Sequence, residues 1–256
     1  FVERINQTRA KQVIYLSGIV NDKSLSKHLS SRKAVEDILN MGVFATTTLR
    51  AGIIVGSGSA SFEIIRDLVH KLPVMITPKW LNTKCQPIGI PDVLEFLLKS
   101  LLNPSTYNQS FDIGGPEIFT YKEMLLTFAE VRNLKRTIIT LPIMTPKLSS
   151  YWLYFVTSTS YKLAINLVDS MKVEVICEEN DLAERLHIKL IPYKEAVKLA
   201  FDKIDQQDVI SSWIDAQSSN VLAKGISNLI EVPTFGCFQD KREKSVRNEQ
   251  DTVDKI

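Results

Sequence analysis

The stretch that decides the fold is residues 12–18, Gln-Val-Ile-Tyr-Leu-Ser-Gly. A short apolar run that is rich in β-formers and closed by small residues is typical of a buried strand in a parallel sheet. Residues 24–40 follow with the apolar spacing of a helix, and residues 43–49 with the composition of a second buried strand. The order strand, helix, strand predicts an α/β domain with a mainly parallel sheet.

The alternation of strands and helices continues beyond this unit. The proline-rich residues 73–90 are expected to be extended segments or turns. Thr120 and Glu123 have the spacing of a capping box, which predicts that a helix begins there. Further helices are predicted over 61–72, 92–102, 146–157, 161–171 and 193–204, and further strands over 110–115 and 137–141.

Composition excludes several classes of protein. The chain has 256 residues and is 45% hydrophobic and 23% charged, a composition that argues against a disordered chain. Its net charge of +2 argues against a nucleic-acid-binding surface. No apolar run reaches the roughly 18 residues that a transmembrane helix needs. Three cysteines and three histidines lie far apart, which argues against a disulfide framework or a metal site and favours a reducing compartment, the cytoplasm.

Both ends of the sequence resemble cuts. The chain opens on Phe1 with no signal peptide, and its last residues have no stop signal. Because a parallel sheet that starts in mid-topology implies earlier strand–helix–strand units of about 30 residues, we expect roughly 100 further residues before Phe1. They should include a glycine-rich turn between a strand and a helix.

The first candidate site joins the end of the first strand to the helix that follows. Ser17 lies at the carboxyl end of that strand, where ligands bind in doubly wound folds. His28 and Arg32 are four residues apart and therefore share one helix face. A hydroxyl, an imidazole and a guanidinium in this place fit the binding of a polar ligand and a proton transfer. On spacing alone, a turn-capping serine and two solvated side chains remain the favoured alternative.

Two other segments are candidates. Residues 49–58 contain three glycines after a buried strand and would let a backbone approach a ligand closely, although such a turn is usually only a turn. Residues 147–171 are rich in aromatic side chains, which would suit a pocket lid, a contact with a protein complex or a peripheral membrane contact. Core packing of a helical subdomain is the favoured reading of this segment. The acidic residues 178–181 are interpreted as a solvated loop.

Four segments carry a resemblance to a known family over residues 1 to about 205: 13–18, 49–56, 85–93 and 111–116. Together they resemble an atypical extended short-chain dehydrogenase/reductase. More narrowly, the sequence is similar to the nucleoside-diphosphate-sugar-epimerase-like branch, which includes the NmrA regulators and an accessory subunit of respiratory complex I. Residues 206–256 resemble the start of an uncharacterised domain that is often fused behind this type.

The resemblance implies roles for individual residues. Ser17 falls at the strand-end Ser or Thr of the active site, whereas His28 and Arg32 replace the Tyr and Lys of the Tyr-x-x-x-Lys motif. Gly52 and Ile53 match the segment that passes the nicotinamide side of the cofactor. The cofactor-binding residues implied in this way are Gly18, Arg32, Ala51, Gly52 and Ile53, with NAD or NADP as cofactor.

The resemblance also implies an architecture: the C-terminal half of a Rossmann-like doubly wound parallel sheet with a small helical subdomain. The expected domains are 1–118, the cofactor-binding part; 119–205, the helical substrate subdomain; and 206–256, the start of a further domain.

The function implied is an NAD(P)-binding oxidoreductase or epimerase-like protein that acts on a small carbonyl compound or a sugar nucleotide. The alternative is a non-catalytic dinucleotide-binding sensor or assembly factor, which the replaced Tyr and Lys favour. Expected partners are a small-molecule substrate and no nucleic acid. The protein is expected in the cytoplasm, or peripherally at a membrane through 147–171.

Overall fold

The computed structural model describes residues 1–19, 27–141 and 173–205. The chain divides into two units, Phe1–Trp213 and Ile214–Ile256, and every described residue lies in the first. The helices predicted over 146–157 and 161–171, the aromatic segment 147–171 and residues 206–256 lie outside the described residues.

The described residues contain helices and strands in alternation. The helices are α1 (Val2–Asn6), α2 (Lys27–Leu39), α3 (Ala60–Lys71), α4 (Ile90–Ser100), α5 (Tyr121–Val131), α6 (Leu182–Arg185) and α7 (Tyr193–Asp205). The strands are β1 (Gln12–Gly18), β2 (Ala45–Ala51), β3 (Ile54–Val55), β4 (Val74–Pro78), β5 (Lys84–Cys85), β6 (Ile88–Gly89), β7 (Gln109–Ile113), β8 (Phe119–Thr120) and β9 (Thr137–Leu141).

The largest sheet consists of β1, β2 and β7, which are all parallel and lie in the order β1-β2-β7. A second parallel pair joins β4 to β9, and a short one joins β3 to β6. The only antiparallel pair among the described strands joins β5 to β8. The predicted α/β fold with a mainly parallel sheet is therefore confirmed.

Most predicted elements are found close to their expected positions. Strands over 12–18 and 137–141 are confirmed to the residue, and Thr120 caps α5 in a complete capping box with Glu123. The second strand begins two residues later than expected, because residues 40–44 form a turn in which Val43 is 83% exposed. The proline-rich segment contains a regular strand, β4. Pro73 precedes this strand and Pro78 ends it, so the N–H groups of its interior residues remain available for hydrogen bonds between strands.

The central sheet presents a polar side and an apolar side. Arg50 of β2 contacts Glu36 of α2, and the hydroxyl of Thr46 donates to the Leu39 carbonyl, so one face of β2 is covered by α2. Leu49 and Ala51 point to the opposite face, where they pack with side chains of α4, β6, β7 and α6. Because alternate residues of a strand face opposite sides, Thr46, Thr48 and Arg50 lie on the α2 side, whereas Thr47 lies on the other face and donates its hydroxyl to the Thr106 carbonyl.

A second core lies around α3, α5 and α7. Its aromatic centre is formed by Phe62, Phe128 and Phe201, whose ring centroids are 5.4–5.7 Å apart. This cluster combines residues 55–85 with residues 121–201. The core therefore includes residues from both sides of position 118, and the domain boundaries given above stay predictions. Within the described part of the chain, no helix is long and apolar enough to cross a membrane.

Candidate functional site

The carboxyl ends of the three central strands lie side by side. Gly18, Ala51 and Ile113 are paired in register as the last residues of β1, β2 and β7. One residue earlier, Ser17 is paired with Arg50, and Arg50 with Asp112. Paired residues of parallel strands point to the same face, so Ser17, Arg50 and Asp112 form one row on the α2 side of the sheet. We call these three residues the strand-end row.

Glu36 of α2 completes a charged cluster beneath this row. The Arg50 guanidinium donates to both carboxylate oxygens of Glu36, with Nη2–Oε1 at 2.6 Å and Nε–Oε2 at 3.2 Å. The Ser110 hydroxyl donates to Glu36 Oε1 at 2.6 Å, and Arg50 Nη1 lies 3.9 Å from Asp112 Oδ1. A bidentate pair of this kind fixes the orientation of the guanidinium as well as its position.

The two carboxylates of the cluster respond differently to burial. Burial alone raises the pKa of Glu36, but the hydrogen bonds from Arg50 and Ser110 outweigh it and hold that pKa below its usual value. Burial also raises the pKa of Asp112, and here the Glu178 N–H and the Arg50 charge offset only part of the effect. For Arg50, the hydrogen bonds and charge of Glu36 outweigh burial, so its pKa is raised. The cluster therefore contains a firmly ionised pair beside a carboxyl that ionises less readily.

Asp112 also holds the chain that crosses the strand ends. Its Oδ2 accepts the Glu178 N–H at 3.0 Å, and its backbone carbonyl accepts a hydrogen bond from Asn180 Nδ2 at 2.9 Å. The acidic residues 178–181 are exposed, as expected for a loop. The loop is nonetheless fixed at one end to the strand-end row.

Gln86 connects three segments at the same edge. Its Nε2 donates to the Gly115 carbonyl at 2.7 Å, and its Oε1 accepts the Cys177 N–H at 3.1 Å. Its backbone N–H donates to the Val175 carbonyl at 2.9 Å. One side chain and its backbone therefore join the turn after β7 to residues 173–178, which we call the crossing segment.

The crossing segment packs against two glycines of the strand-end loops. A Cβ atom on Gly52 would lie 2.9 Å from Val175 Cγ1, and a Cβ atom on Gly114 would lie 2.5 Å from Cys177 Sγ. A side chain at either glycine would therefore displace a side chain of the crossing segment. Val175 occupies the space into which a side chain at position 52 would project. A bound ligand would therefore meet this loop through its other backbone atoms.

The structure brings only some of the predicted site residues together. Ser17, Gly18 and Ala51 lie at adjoining strand ends, and Ser17 is only 3% exposed. Ile53 lies in the loop that follows β2, and its carbonyl accepts the Ile88 N–H at 2.9 Å. His28 and Arg32 both lie in α2, where Arg32 is half-buried; the His28 side chain lies outside the described atoms.

The position of α2 places these two residues toward the strand ends. Glu36 contacts Arg50 of the strand-end row, and α2 runs back along the sheet between two parallel strands. At about 1.5 Å per residue, Arg32 lies roughly 6 Å and His28 roughly 12 Å along the helix axis beyond Glu36. Both helix positions therefore lie toward the carboxyl edge of the sheet, where ligands bind in this type of fold.

Sequence reasoning missed the charged cluster and Gln86. Two signals were available: Arg50 and Asp112 interrupt strands that are otherwise apolar or rich in threonine, and Glu36 follows Arg32 by one helical turn. Charged residues in buried strands need partners, so their presence indicates an ion pair. The contacts of Gln86 had no comparable signal, since they depend on the crossing segment some 90 residues later.

Metal ligation and thiol chemistry have little support at this site. Among the described residues, no group of three or more His, Cys, Asp or Glu side chains is arranged to hold a metal ion. Burial raises the pKa of both described cysteines, Cys85 and Cys177, to about 12. Both are therefore thiols at neutral pH, and a thiol is a weak nucleophile compared with a thiolate.

The described residues form a Rossmann-like α/β fold, in which parallel strands are joined by helices and a polar row lies at the carboxyl edge of the central sheet. No family model matches the sequence, and no curated protein matches it.

Particular solved structures share this fold. A nucleoside-diphosphate-sugar epimerase from Staphylococcus aureus has a TM-score of 0.61 at 13% identity over 77% of this chain and 68% of its own. An NADPH-dependent quinone oxidoreductase from Escherichia coli, in complex with NADPH, has a TM-score of 0.62 at 14% identity, covering 78% and 69%. A UDP-glucuronic acid 4-epimerase from Bacillus cereus, in complex with UDP-glucuronic acid and NAD, has a TM-score of 0.55 at 12% identity, covering 80% and 65%.

Proposed function

We propose that this chain belongs to an NAD(P)-dependent oxidoreductase or epimerase-like enzyme whose ligands bind at the carboxyl edge of β1, β2 and β7. The observation that carries the proposal is the strand-end row, in which Ser17 lies in register beside Arg50 and Asp112. Ligands in open α/β sheets bind outside the carboxyl ends of the strands. Proteins with this fold bind NADPH or NAD in the complexes described above, which supports the same cofactor class here.

The residues at the strand ends fit a nicotinamide dinucleotide. Gly18 and Ala51 have no bulky side chains, so a flat ring can approach their backbone. Gly52 and Ile53 follow directly, and their remaining backbone groups form the adjoining wall. When bound, such a cofactor supplies hydride transfer, whereas the protein supplies orientation and proton transfer.

Three residues of this chain have proposed roles in the reaction. Ser17 orients the substrate oxygen, because its hydroxyl lies at the end of β1. Arg32 holds the ribose or nicotinamide side of the cofactor from α2. His28, at the position where the family has Tyr, donates the proton. The substrate class that fits these roles is a small carbonyl compound or a sugar nucleotide.

A second candidate is a dinucleotide-binding sensor without catalysis. One observation favours it: the charged groups nearest Ser17 are engaged with one another, since Arg50 is bound by Glu36 and lies beside Asp112. A guanidinium held in this way is not a proton donor. In this reading the cluster maintains the shape of the binding edge, and His28 has no chemical task.

Titration of the complete gene product with NADPH and NADH, followed by turnover assays with quinones and UDP-sugars, distinguishes these candidates. In an enzyme, His28→Ala should abolish turnover and leave cofactor affinity within a few-fold, because proton donation is lost and binding is not. His187→Asn is the matched control: His187 is exposed at the end of α6 with φ of 50°, a conformation that Asn tolerates.

The pH profile provides a further check. A free imidazole titrates near 6.5, and its protonated form is the stronger proton donor. Turnover that depends on His28 as a proton donor should therefore fall as the pH rises above about 6–7. Tight cofactor binding with no turnover, and no effect of His28→Ala, would establish the sensor instead. Failure to bind either dinucleotide would refute both candidates.

A further inference from the structure

The charges of the strand-end row do not balance. The Arg50 guanidinium donates to both oxygens of Glu36, so the charges of these two residues largely cancel. The Asp112 carboxylate belongs to the same row, but its Oδ1 lies 3.9 Å from Arg50 Nη1, which is beyond hydrogen-bond distance. One guanidinium therefore faces two carboxylates and forms a bidentate pair with only one of them.

Glu178 of the crossing segment adds a third carboxylate at this place. Its backbone N–H donates to Asp112 Oδ2 at 3.0 Å, which fixes residue 178 beside the end of β7, and its side chain is exposed. Burial is the main cause of the raised pKa of Asp112, and the charges of Glu178 and Glu36 raise it further, although the Glu178 N–H and Arg50 oppose them. The Glu178 carboxylate is therefore close enough to act on the strand-end row electrostatically.

The described cations of α2 do not restore the balance. Lys33 is paired with Asp37 of the same helix at 3.4 Å. Arg32 lies toward the carboxyl edge, but the proposed function assigns it to the dinucleotide, whose diphosphate is itself an anion. Within the described part of the chain, the β7 end of the edge is therefore negatively charged. A cleft lined by one sign of charge concentrates ligands of the opposite sign and repels those of its own.

We propose that Asp112 and Glu178 select the substrate by its charge: the site takes an uncharged or cationic carbonyl compound and disfavours an anionic one, nucleoside-diphosphate sugars included. This inference deepens the proposed function and rests on it for the position of the site. It narrows the two substrate classes given there to one. The discrimination arises as much from repulsion of the anion as from attraction of the cation.

The spacing of the strands gives the size of the effect. Ser17, which is proposed to orient the substrate oxygen, and Asp112 lie in register two strands apart. Since neighbouring strands are about 4.8 Å apart, a carbonyl at Ser17 lies roughly 10 Å from the Asp112 carboxylate. At that distance one unit charge changes the affinity of a singly charged ligand by roughly two- to fifteenfold, depending on how far water penetrates. Removal of one carboxylate should therefore be measurable.

Three aldehydes with the same ring and different charges test the selection. Benzaldehyde is uncharged, 4-formylbenzenesulfonate is an anion, and 4-formyl-N,N,N-trimethylanilinium is a cation. The complete gene product is saturated with the oxidised dinucleotide, so that binding is measured by NMR titration without hydride transfer. At low ionic strength the cation should bind at least tenfold more tightly than the sulfonate, with benzaldehyde between them. In about 0.5 M NaCl the difference should shrink to less than threefold, because salt screens charges at this separation.

Variants of Glu178 separate the charge from the structure. Glu178→Gln removes the carboxylate but keeps the backbone N–H that bonds Asp112, so the loop stays attached. The preference for the cation over the sulfonate should fall at least threefold, and at least tenfold in Glu178→Lys. Glu184→Gln is the matched control, because it removes the same charge from an exposed residue of α6. Its neighbour Arg185 donates to the carbonyl of Ser105, which precedes β7, so Glu184 lies toward the opposite edge and the preference should not change.

Several results would overturn selection by charge. They are equal binding or no binding of the three aldehydes, tighter binding of the sulfonate, and a preference that Glu178→Gln leaves unchanged. UDP-glucose that binds more tightly than benzaldehyde would overturn it as well. The same titrations without a dinucleotide keep this inference distinct from the proposed function. A protein that binds neither NAD nor NADP refutes that function, whereas a preference for the cation that Glu178→Gln reduces still supports charge selection at this edge.

Discussion

Arg50 is the residue on which the local organisation of the carboxyl edge of the central sheet depends. It occupies the middle strand, pairs in register with Ser17 and Asp112, and is held by both oxygens of Glu36. Because the guanidinium is about one-quarter exposed, loss of its partner would leave a charge that is only partly hydrated. The Glu36–Arg50 pair should therefore matter more for stability than the exposed ion pairs of α2 and α3.

Glu36→Gln tests this at the residue scale. The substitution leaves Arg50 without its counter-charge and should lower the free energy of unfolding at pH 7 by about 2–3 kcal/mol. The folded pKa of Glu36 is below its ordinary value of 4.5, so its stabilisation is present above pH 4.5 and is lost as the pH falls through the folded pKa. The difference between variant and unchanged protein in urea unfolding should therefore shrink at lower pH.

Asp112→Asn is the matched comparison, because its pH dependence has the opposite sign. The folded pKa of Asp112 is raised above 3.8, so folding favours its protonated form and that contribution is lost as the pH rises. Relative to the unchanged protein, Asp112→Asn should gain stability with rising pH while Glu36→Gln loses it. Parallel slopes for the two variants would contradict the assignment of the ionised pair.

The sequence predicted the positions of residues only where position along a strand decides their place. The positions of Ser17, Gly18 and Ala51 at the strand ends are confirmed, because the end of an apolar run is visible in the sequence, whereas their roles in a site stay predictions. Glu36 and Asp112 were not found, because their importance arises from the pairing of three strands and one helix. The predicted roles of His28 and Arg32 stay predictions.

At the scale of elements, the turn after β7 shows how closely two backbones approach at the carboxyl edge of the sheet. Gly115 donates its N–H to the Pro87 carbonyl at 3.0 Å, and a Cβ atom on Gly115 would overlap that same carbonyl oxygen. The two segments precede α4 and β8, so their separation fixes how these elements meet. The obstacle is backbone rather than a flexible side chain, and it cannot be relieved by a change of rotamer.

Gly115→Ala should therefore be strongly destabilising. We expect a loss of about 2–3 kcal/mol in urea unfolding, since the chain must move to accommodate one methyl group. Gly52→Ala is the comparison, because its new methyl group would meet the Val175 side chain of the crossing segment; it should cost about 1 kcal/mol. Equal losses for both variants would show that the crossing segment is as rigid as the backbone at Pro87.

Element positions followed from the sequence wherever local signals were strong. The capping box at Thr120 predicted the start of α5 to the residue, whereas residues 73–90 were predicted only as extended segments or turns and contain β4. The start of β2 was placed two residues too early, because Val43 has a strand-forming side chain but lies in a turn whose N–H is held by Asn6. Propensity is overridden there by a contact 37 residues away.

At the scale of the whole molecule, α7 completes a core that begins near residue 55. The ring of Phe201 contacts Phe62 and Phe128, and the Arg132 guanidinium lies 4.0 Å from its centroid. Residues from β3, α3, α5 and α7 thus share one apolar cluster. The sequence predicted these helices one at a time, but which of them pack together depends on the tertiary fold.

Phe201→Ala should reduce the free energy of unfolding by about 3–5 kcal/mol, as expected for a buried aromatic ring. Leu199→Ala on the same helix should change it by less than about 1 kcal/mol, since Leu199 is partly exposed. Hydrogen exchange should show α3 and α5 losing protection together in Phe201→Ala. Loss confined to α5 would instead support a separate subdomain that begins at residue 119.

The parallel pairing of β2 with β7 in the central sheet has a consequence for how the chain reaches its native state. Thr47 pairs with Gln109, and Val74 pairs with Thr137, so each parallel pair closes a loop of about 60 residues. Contacts of such long range form late, because the entropy of loop closure is lost before any of them stabilises the chain. Refolding should accordingly be slow for a chain of this size, and the apolar strands should be prone to aggregation until β7 has joined the sheet.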